Sequence, residues 1–240
     1  MKSVEQQVLQ QLHRVRTQWQ AARVVRINGL RGMLREFGID VPLGAVRGIA
    51  TIREALEAGD NGLPDALRPV IAQVLKEIAE FSERMKEVER SLESLSAEDA
   101  TVQRLQTIPG VGLIVSTALR AAVGDIHRFR SGRHLSCWLG LTAREHSSGE
   151  KRRLGPISKQ GDVYLRTLLT HGARAALSAA KNAAGKGLEL DRLRRWALET
   201  DKRVGHNKAA IALANKLARV VWATWKHERT FEGNWTRRAA

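Results

Sequence analysis

Residues 67–95 read LRPVIAQVLKEIAEFSERMKEVERSLESL, and this stretch decides the fold class of the 240-residue chain. Its apolar residues recur at alternating spacings of four and three over four heptads, the a/d pattern of a helix that packs against another helix. The pattern predicts a narrow apolar seam. Its partner is either residues 3–37, folded back as a hairpin, or a second subunit. The a/d residues are Leu67, Ile71, Val74, Ile78, Phe81, Met85, Val88, Leu92 and Leu95.

Residues 3–37 predict one long helix, because apolar side chains recur near helical spacing and Gly38 follows them. Arg16, Arg23 and Arg26 fall on one side of it, since seven residues return a helix to within about 20° of its starting direction. This arginine stripe would either follow a phosphate backbone or form ion pairs on a solvated face. The sequence leaves both interpretations open.

Aromatic residues make up only 5% of the chain, and alanine, leucine, arginine and valine dominate, which favours helices over sheets. We therefore predict a mainly all-α fold. Residues 1–98 would form a helical hairpin or coiled-coil linker, residues 99–230 a second helical domain, and residues 231–240 a frayed tail. The other predicted helices cover residues 51–58, 99–107, 112–123, 131–140, 160–182, 188–202 and 206–227, with Trp138, Trp196, Trp222 and Trp225 in the core.

The net charge of +15 is distributed unevenly. Residues 1–100 hold 14 Lys and Arg against 15 Asp and Glu, whereas residues 101–240 hold 26 against 10. A regional excess of cations indicates a polyanionic partner, and nucleic acid is the common one. The lone Cys137 excludes an internal disulfide, and neither a signal peptide nor an apolar run of about 20 residues is present, so we predict a cytoplasmic protein without a membrane partner.

Two predicted short helices are joined by Ile108-Pro109-Gly110-Val111-Gly112, which resembles the helix-hairpin-helix motif of DNA-binding proteins. Pro109, Gly110, Val111 and Gly112 are therefore candidate DNA-binding residues. The glycines would let the backbone approach a phosphate, and the free N–H groups of the second helix would meet the anion. Such a hairpin also serves purely structural roles, and that interpretation stays open.

Residues 147–162 combine a pair of adjacent serines, three glycines and four cations without an apolar run. Such a loop suits a phosphate, and a serine within it would attack one, provided that cations offset the charge on the phosphoryl oxygens. By composition alone, however, Ser-Ser-Gly is an ordinary turn. His146 stands two residues before Ser148, and no cluster with metal-ligand spacing is found, so no cofactor is predicted for this chain. The candidate phosphate-binding cations are Arg144, Lys151, Arg152, Arg153, Lys159 and Arg166.

The order of these features is similar to that in the C-terminal domain of DEDD transposases of the Piv invertase-like, insertion-sequence one-ten family, which includes bridge-RNA-guided recombinases. The resemblance covers about residues 104–185. The sequence elements that carry it are Ile108 to Gly112, Arg128-Phe129, Leu139-Gly140-Leu141-Thr142, Ser147-Ser148-Gly149, Gly155-Pro156-Ile157-Ser158-Lys159-Gln160-Gly161, Leu165-Arg166 and Leu168.

The resemblance implies a DNA transposition or recombination function with Ser148 as the strand-exchange nucleophile and Ser147 as the adjacent alternative. It also implies DNA and a guide (bridge) RNA as partners, and a homo-oligomer assembled through the coiled coil. In the family, a ribonuclease-H-like domain that carries acidic ligands for Mg²⁺ precedes the coiled coil. Residues 1–100 lack its pattern, so we expect a chain without that domain and inactive alone. The alternative is a non-catalytic helix-hairpin-helix module that only binds nucleic acid.

Overall fold

The computed structural model describes residues 2–151 and 153–234 and is mainly helical, as predicted. Contacts divide the chain into two units: Gln11–Ser91 forms one, and residues up to Gln10 together with those from Leu92 onward form the other. The boundary predicted between residues 98 and 99 stays a prediction. In chain order the helices are α1 Val4–Glu36, α2 Ala45–Glu57, α3 Arg68–Ser96, α4 Ala100–Gln106, α5 Leu113–Val123, α6 Gly132–Trp138, α7 Val163–Gly185, α8 Arg192–Val204 and α9 His206–Lys226, with 3₁₀ turns at Asp65–Leu67 and Ile126–Arg128.

In the first unit, α1 runs antiparallel to α3, and arginines of α1 bridge the two helices. Arg16 pairs with Glu89 at 2.7 Å, and Arg26 pairs with Glu77 at 2.7 Å. Between them, Arg23 Nε donates to Ser82 Oγ at 2.8 Å. The arginine stripe of α1 therefore forms ion pairs and a hydrogen bond within the chain. Of the two interpretations left open by the sequence, the structure supports the ion-paired one.

The heptad face of α3 is packed within the same chain, although its apolar surface is wider than the predicted seam. Ile71 and Ile78 are buried at a/d positions, and Leu75, outside those positions, is buried in the same cluster. Ile52 of α2 belongs to this cluster as well. A third helix therefore widens the apolar face beyond that of a two-helix coiled coil. At the other end of the heptads, Leu95 is 58% exposed.

Helix α2 begins at Ala45, six residues before the predicted segment. Two glycines explain the difference. Gly44 precedes the helix with φ of +96°, and a Cβ on Gly48 would lie 3.2 Å from the carbonyl oxygen of Pro42. Glycine lowers the helix propensity of a segment, so the start of this helix is hidden from a propensity-based prediction.

In the second unit, α9 is the central helix and contacts α4, α6, α7 and α8. Its buried face carries several alanines, which allow close helix approach. Trp225 is buried, whereas Trp196 and Trp222 are half-buried against the same core. The prediction that Trp138 is buried was wrong, because its ring is 37% exposed and packs edge-on against Phe129.

The segment after α9 is packed against this unit as far as Asn234. Phe231 contacts the core, and its backbone N–H donates to Thr107 Oγ1 at 2.9 Å. The backbone N–H of Arg192 donates to Asn234 Oδ1 at 3.1 Å. The predicted frayed tail is therefore corrected for residues 231–234, because an aromatic anchor holds them. Its remainder, residues 235–240, lies outside the described residues.

Two glycines bring the α4–α5 turn against α7. A Cβ on Gly110 would overlap the backbone carbonyl of Gly172, and a Cβ on Gly172 would overlap that of Gly110. Gly110 also has φ of +85°, a conformation that favours glycine. The contact therefore requires glycine on both sides. None of the described helices is both long enough and apolar enough to cross a membrane.

Replacing Gly172 with alanine is expected to lower the free energy of unfolding by about 1–3 kcal/mol, because the new methyl group overlaps backbone atoms that cannot rotate away. The measurement is urea unfolding. Gly185→Ala in the same helix is the matched control, since no atom lies within 4 Å of its Cβ position. The control should match or exceed the stability of the wild type. Equal stability of both variants would contradict the close approach.

Burial and the neighbouring Arg16 guanidinium lower the pKa of His13 from 6.5 to about 4. Because the folded-state pKa lies below the unfolded value, the unfolded chain binds a proton first as the pH falls. Above pH 6.5, His13 is neutral in the folded and unfolded states and does not lower the free energy of unfolding. As the pH falls from 6.5 towards 4, the free energy of unfolding decreases. Between pH 7 and pH 5 this loss is about 2 kcal/mol.

Urea unfolding at a series of pH values measures this loss. His13→Gln should flatten the profile between pH 7 and pH 5, whereas His171→Gln, at an exposed position of α7, should leave it unchanged. A profile that is equally steep without His13 would show that other groups cause the acid sensitivity.

Candidate nucleic-acid interface

The basic segment between α6 and α7 forms a β-hairpin, where a loop was predicted. Strand β1, Ala143–Glu145, pairs antiparallel with β2, Leu154–Ile157. Beyond the strands, Ser148 and Lys151 form a further bridge, with Gly149 and Glu150 between them. The Ser148 N–H donates to the Lys151 carbonyl at 3.3 Å and the reverse bond is 3.1 Å. Gly149 has φ of +55°, as tight hairpin turns require. The serine pair therefore lies at the tip of a defined structure.

The base of the hairpin is attached to the end of α6. The Ser158 N–H donates to the Thr142 carbonyl at 2.8 Å, and the Lys159 N–H donates to the Gly140 carbonyl at 3.1 Å. Lys159 adopts φ of +57°, which is unfavourable for a residue with a side chain. A Cβ on Gly140 would overlap the Gln160 backbone, and one on Gly161 would overlap the Trp138 carbonyl. These close approaches fix the direction in which the hairpin leaves the helical core.

Asn215 of α9 forms a second attachment and was not identified from the sequence. Its Nδ2 donates to the Leu141 carbonyl at 2.9 Å and to Ser136 Oγ at 2.8 Å. The bonds join the central helix to α6 and to the residue that leads into β1. An asparagine next to the apolar core positions Leu213, Ala214 and Leu217 was the sequence signal that would have pointed to it.

The predicted cations fall into two groups. Lys151 and Arg153 are exposed along the outer part of the hairpin, and Lys159 is exposed at its base. Arg144 and Arg166 are partly engaged: Arg144 Nη2 donates to the Ser158 carbonyl and Arg166 Nη1 donates to the Leu139 carbonyl, each at 3.2 Å. Both therefore support the base of the hairpin while keeping other donors. Arg152 lies outside the described residues.

The two serines at the tip are in different environments. Ser147 Oγ donates to Glu145 Oε1 at 2.9 Å and accepts from the Arg153 N–H at 3.0 Å. Its hydroxyl thus connects the two sides of the hairpin. Ser148 is exposed, and its hydroxyl makes no hydrogen bond with any residue that the structure describes. Glu145 was missed as a partner of Ser147, because the pairing becomes visible only when positions 145 and 147 are placed on one extended segment.

The turn from Ile108 to Gly112 is mostly packed within the protein, whereas the sequence suggested a DNA-binding role for it. Ile108 and Val111 are buried, Pro109 is half-buried, and Gly110 faces Gly172 of α7. Helix packing therefore accounts for Gly110 without a phosphate. Gly112 is exposed at the N-terminus of α5, which has no side-chain cap, so its backbone is the part of the turn accessible to an anion. Phosphate binding at the turn stays a prediction.

Within residues 2–151 and 153–234, no group of three His, Cys, Asp or Glu side chains is arranged to hold a metal ion. Glu145 and Glu150 lie on the hairpin, but Glu145 is hydrogen-bonded to Ser147. These residues do not fit a Mg²⁺ site.

Comparison with known proteins identifies relatives of the chain. A family model described as "Transposase IS116/IS110/IS902 family" matches residues 102–187, the range from α4 to just beyond α7. The chain is 38% identical over 232 residues to "Probable family 20 transposase" of Pseudomonas aeruginosa, covering 96% of this chain and 67% of the relative.

Two further relatives are transposases of named insertion sequences. Identity is 38% over 230 residues to "Transposase for insertion sequence element IS1111A" of Coxiella burnetii, covering 96% of this chain and 62% of the relative. It is 36% over 222 residues to "Transposase for insertion sequence element IS1328" of Yersinia enterocolitica, covering 92% and 64%. The chain thus spans about two thirds of the length of these relatives. It belongs to the IS116/IS110/IS902 family of transposases.

Proposed function

We propose that this chain binds DNA and supplies the strand-exchange nucleophile of an insertion-sequence transposase, and that the nucleophile is Ser148. The observation that carries the proposal is the exposed Ser148 hydroxyl at the tip of a firmly attached, cationic hairpin. A hydroxyl without hydrogen bonds to described residues can approach phosphorus without first breaking an internal contact. The attachments to Gly140 and Thr142 limit the directions from which it does so.

In the proposed step, Ser148 Oγ attacks a phosphodiester phosphorus and the bond from phosphorus to one deoxyribose oxygen breaks. The serine proton passes to a base, and the leaving oxygen takes up a proton to become a free hydroxyl. The product is a phosphoserine ester in which the phosphodiester bond energy is retained. The free hydroxyl of another strand can therefore displace Ser148 and rejoin DNA without ATP.

The attack places negative charge on the phosphoryl oxygens, and nearby cations stabilise that charge. Lys151 and Arg153 are the exposed cations on the second side of the hairpin, opposite the serines. Arg144, Lys159 and Arg166 surround its base and would contact the flanking phosphates of the same strand. In this arrangement the tip performs the chemistry and the base contributes to DNA affinity.

Ser147 is the alternative nucleophile, and one observation favours it. The Glu145 carboxylate accepts the Ser147 hydroxyl proton at 2.9 Å, the geometry of a nucleophile with a general base. However, Ser147 Oγ also accepts the Arg153 N–H, so attack would require the loss of a bond that links the two sides of the hairpin. We therefore assign Ser147 a positioning role and Ser148 the attack.

The remaining parts of the proposal come from the family. Mg²⁺ would be held by the acidic ribonuclease-H-like domain, and a bridge RNA would direct the choice of target. A homo-oligomer would bring two serines to two strands. Within the chain, the a/d face of α3 packs against α1 from Ile71 to Ile78, so further subunits would use other surfaces.

The second candidate function is a non-catalytic nucleic-acid-binding module. It is favoured by the exposed Gly112 backbone at the start of α5 and by the cationic hairpin, both of which would bind phosphate without chemistry. In this function the DNA affinity falls with salt and is unaffected by loss of the Ser148 hydroxyl.

Ser147→Ala is expected to loosen the hairpin, because it removes the acceptor of the Arg153 N–H and the donor to Glu145. Amide hydrogen exchange at Arg153 and His146 measures this and should become faster. Ser148→Ala should leave both rates unchanged and alter the free energy of unfolding by less than about 0.5 kcal/mol. Equal acceleration by both substitutions would remove the distinction between the two serines.

Ser148→Ala is expected to abolish the covalent protein–DNA adduct, because the neighbouring Ser147 hydroxyl is held by Glu145 and by the Arg153 N–H. A denaturing gel measures the adduct, with DNA that carries the insertion-sequence ends, Mg²⁺ and a ribonuclease-H-like domain supplied in trans. The matched controls are Ser147→Ala and Ser178→Ala, the latter at an exposed position of α7.

Persistence of the adduct in Ser148→Ala would refute the assignment, and its loss only in Ser147→Ala would identify Ser147 as the nucleophile with Glu145 as its base. Salt-dependent DNA binding without an adduct in the wild type would favour the binding module. Under either function, Lys151→Gln with Arg153→Gln should weaken binding in a mobility-shift assay.

A further inference from the structure

A second cationic site lies away from the serine hairpin, in a cleft formed by α8, α9 and the segment after α9. The cavity has a volume of about 450 Å³, which is within the range of small-molecule sites. Arg192, Lys216 and Arg219 line it from two helices. Leu193, Val220 and Phe231 are apolar residues that also line it. The cleft therefore combines cationic and apolar side chains.

Besides Arg229, three cations line the cleft: Arg192, Lys216 and Arg219. None of them forms an ion pair with a described residue, although Glu232 also lines the cavity. Burial, Arg219 and Arg192 lower the pKa of Lys216, and burial and Arg133 lower the pKa of Arg219. Each shift reports that a positive charge is held among like charges and partly away from water. An anionic ligand would relieve this repulsion.

One contact holds Lys216 in place, and one buried donor of Arg219 lacks a partner among the described residues. Lys216 Nζ lies 3.9 Å from the centre of the Trp196 ring, a cation–π distance that fixes the ammonium at the wall of the cleft. Arg219 Nε is buried and has no hydrogen-bond partner among the described residues. A buried donor without an acceptor is costly, and an oxyanion in the cleft would satisfy it. The geometry thus favours a ligand with oxyanion character next to an apolar group.

We propose that this cleft binds one unstacked nucleotide of a single-stranded nucleic acid, with its phosphate on Arg192, Lys216 and Arg219 and its base against Leu193, Val220 and Phe231. The proposal rests on the nucleic-acid function above but not on Ser148. A duplex keeps its bases stacked and paired, so it would offer the cleft only phosphates. A single strand offers both a phosphate and an aromatic face, the combination that single-strand sites bind.

The test is fluorescence anisotropy of the whole chain with a labelled single strand of about 12 nucleotides, within the site sizes of single-strand binders. Arg192→Gln with Lys216→Gln should weaken binding roughly tenfold or more. Lys202→Gln with Lys208→Gln removes the same charge from exposed positions of α8 and α9 and should weaken it far less. DNA and RNA strands, a duplex and adenosine monophosphate are compared, to separate the sources of the nucleotide.

The proposal would be overturned if the cleft and control variants weakened single-strand binding equally. It would also be overturned if the cleft substitutions weakened duplex binding as strongly as single-strand binding. Amine-reactive labelling of the wild type provides a second measurement that needs no variant. The single strand should protect Lys216 more than Lys202 and Lys208, and equal labelling of Lys216 with and without the strand would also refute the site. The double substitution Lys151→Gln and Arg153→Gln in the hairpin should leave the protection of Lys216 unchanged. A failure of the hairpin assignment can therefore be distinguished from a failure of the cleft proposal.

Discussion

The close approach of the backbones at Gly110 and Gly172 is the constraint on which the second unit depends. It sets the distance between the α4–α5 turn and α7, and neither position accepts a side chain. A second close approach, between Gly140 and Gln160 and between Gly161 and Trp138, joins the end of α6 to the segment that precedes α7. The serine hairpin begins and ends between these contacts. Its direction is therefore determined by helix packing rather than by the hairpin itself.

The helices were predictable because their apolar residues repeat at helical spacing and their ends carry local signals. Asp99 and Asp162 cap α4 and α7 as such residues should, each accepting backbone N–H groups of the first turn. The early start of α2 was not predictable, since Gly44 and Gly48 lower its propensity for reasons of close packing. The exposure of Trp138 also depends on the residues that surround its ring in the folded chain. Local periodicity in the sequence does not reveal these neighbours.

The candidate site was predictable in composition but not in geometry. The strands of the hairpin are three and four residues long, and the second contains glycine and proline, so no alternation of apolar and polar residues marks them. Their pairing depends on the Gly149 turn and on the bonds of Ser147 to both sides of the hairpin. Only the folded hairpin shows that Ser147 is engaged and Ser148 exposed. The resemblance to a family predicts the nucleophile at this pair, and the hydrogen bonds of Ser147 distinguish its two members.

The charge of the chain has a structural explanation that regional counts alone do not provide. In residues 11–91, acids of α3 neutralise two arginines of α1, as at Glu89 and Glu77. In the second unit, Lys151, Arg192 and Lys216 have no such acidic partner among the described residues. Uncompensated cations raise the free energy of the folded state until an anion binds. Part of the excess of +16 in residues 101–240 thus lies on a projecting hairpin and part in a concave cleft, and these two shapes suit different parts of a nucleic acid. A projecting tip can enter between strands to reach one phosphodiester, whereas a cleft can hold a nucleotide that has left the duplex.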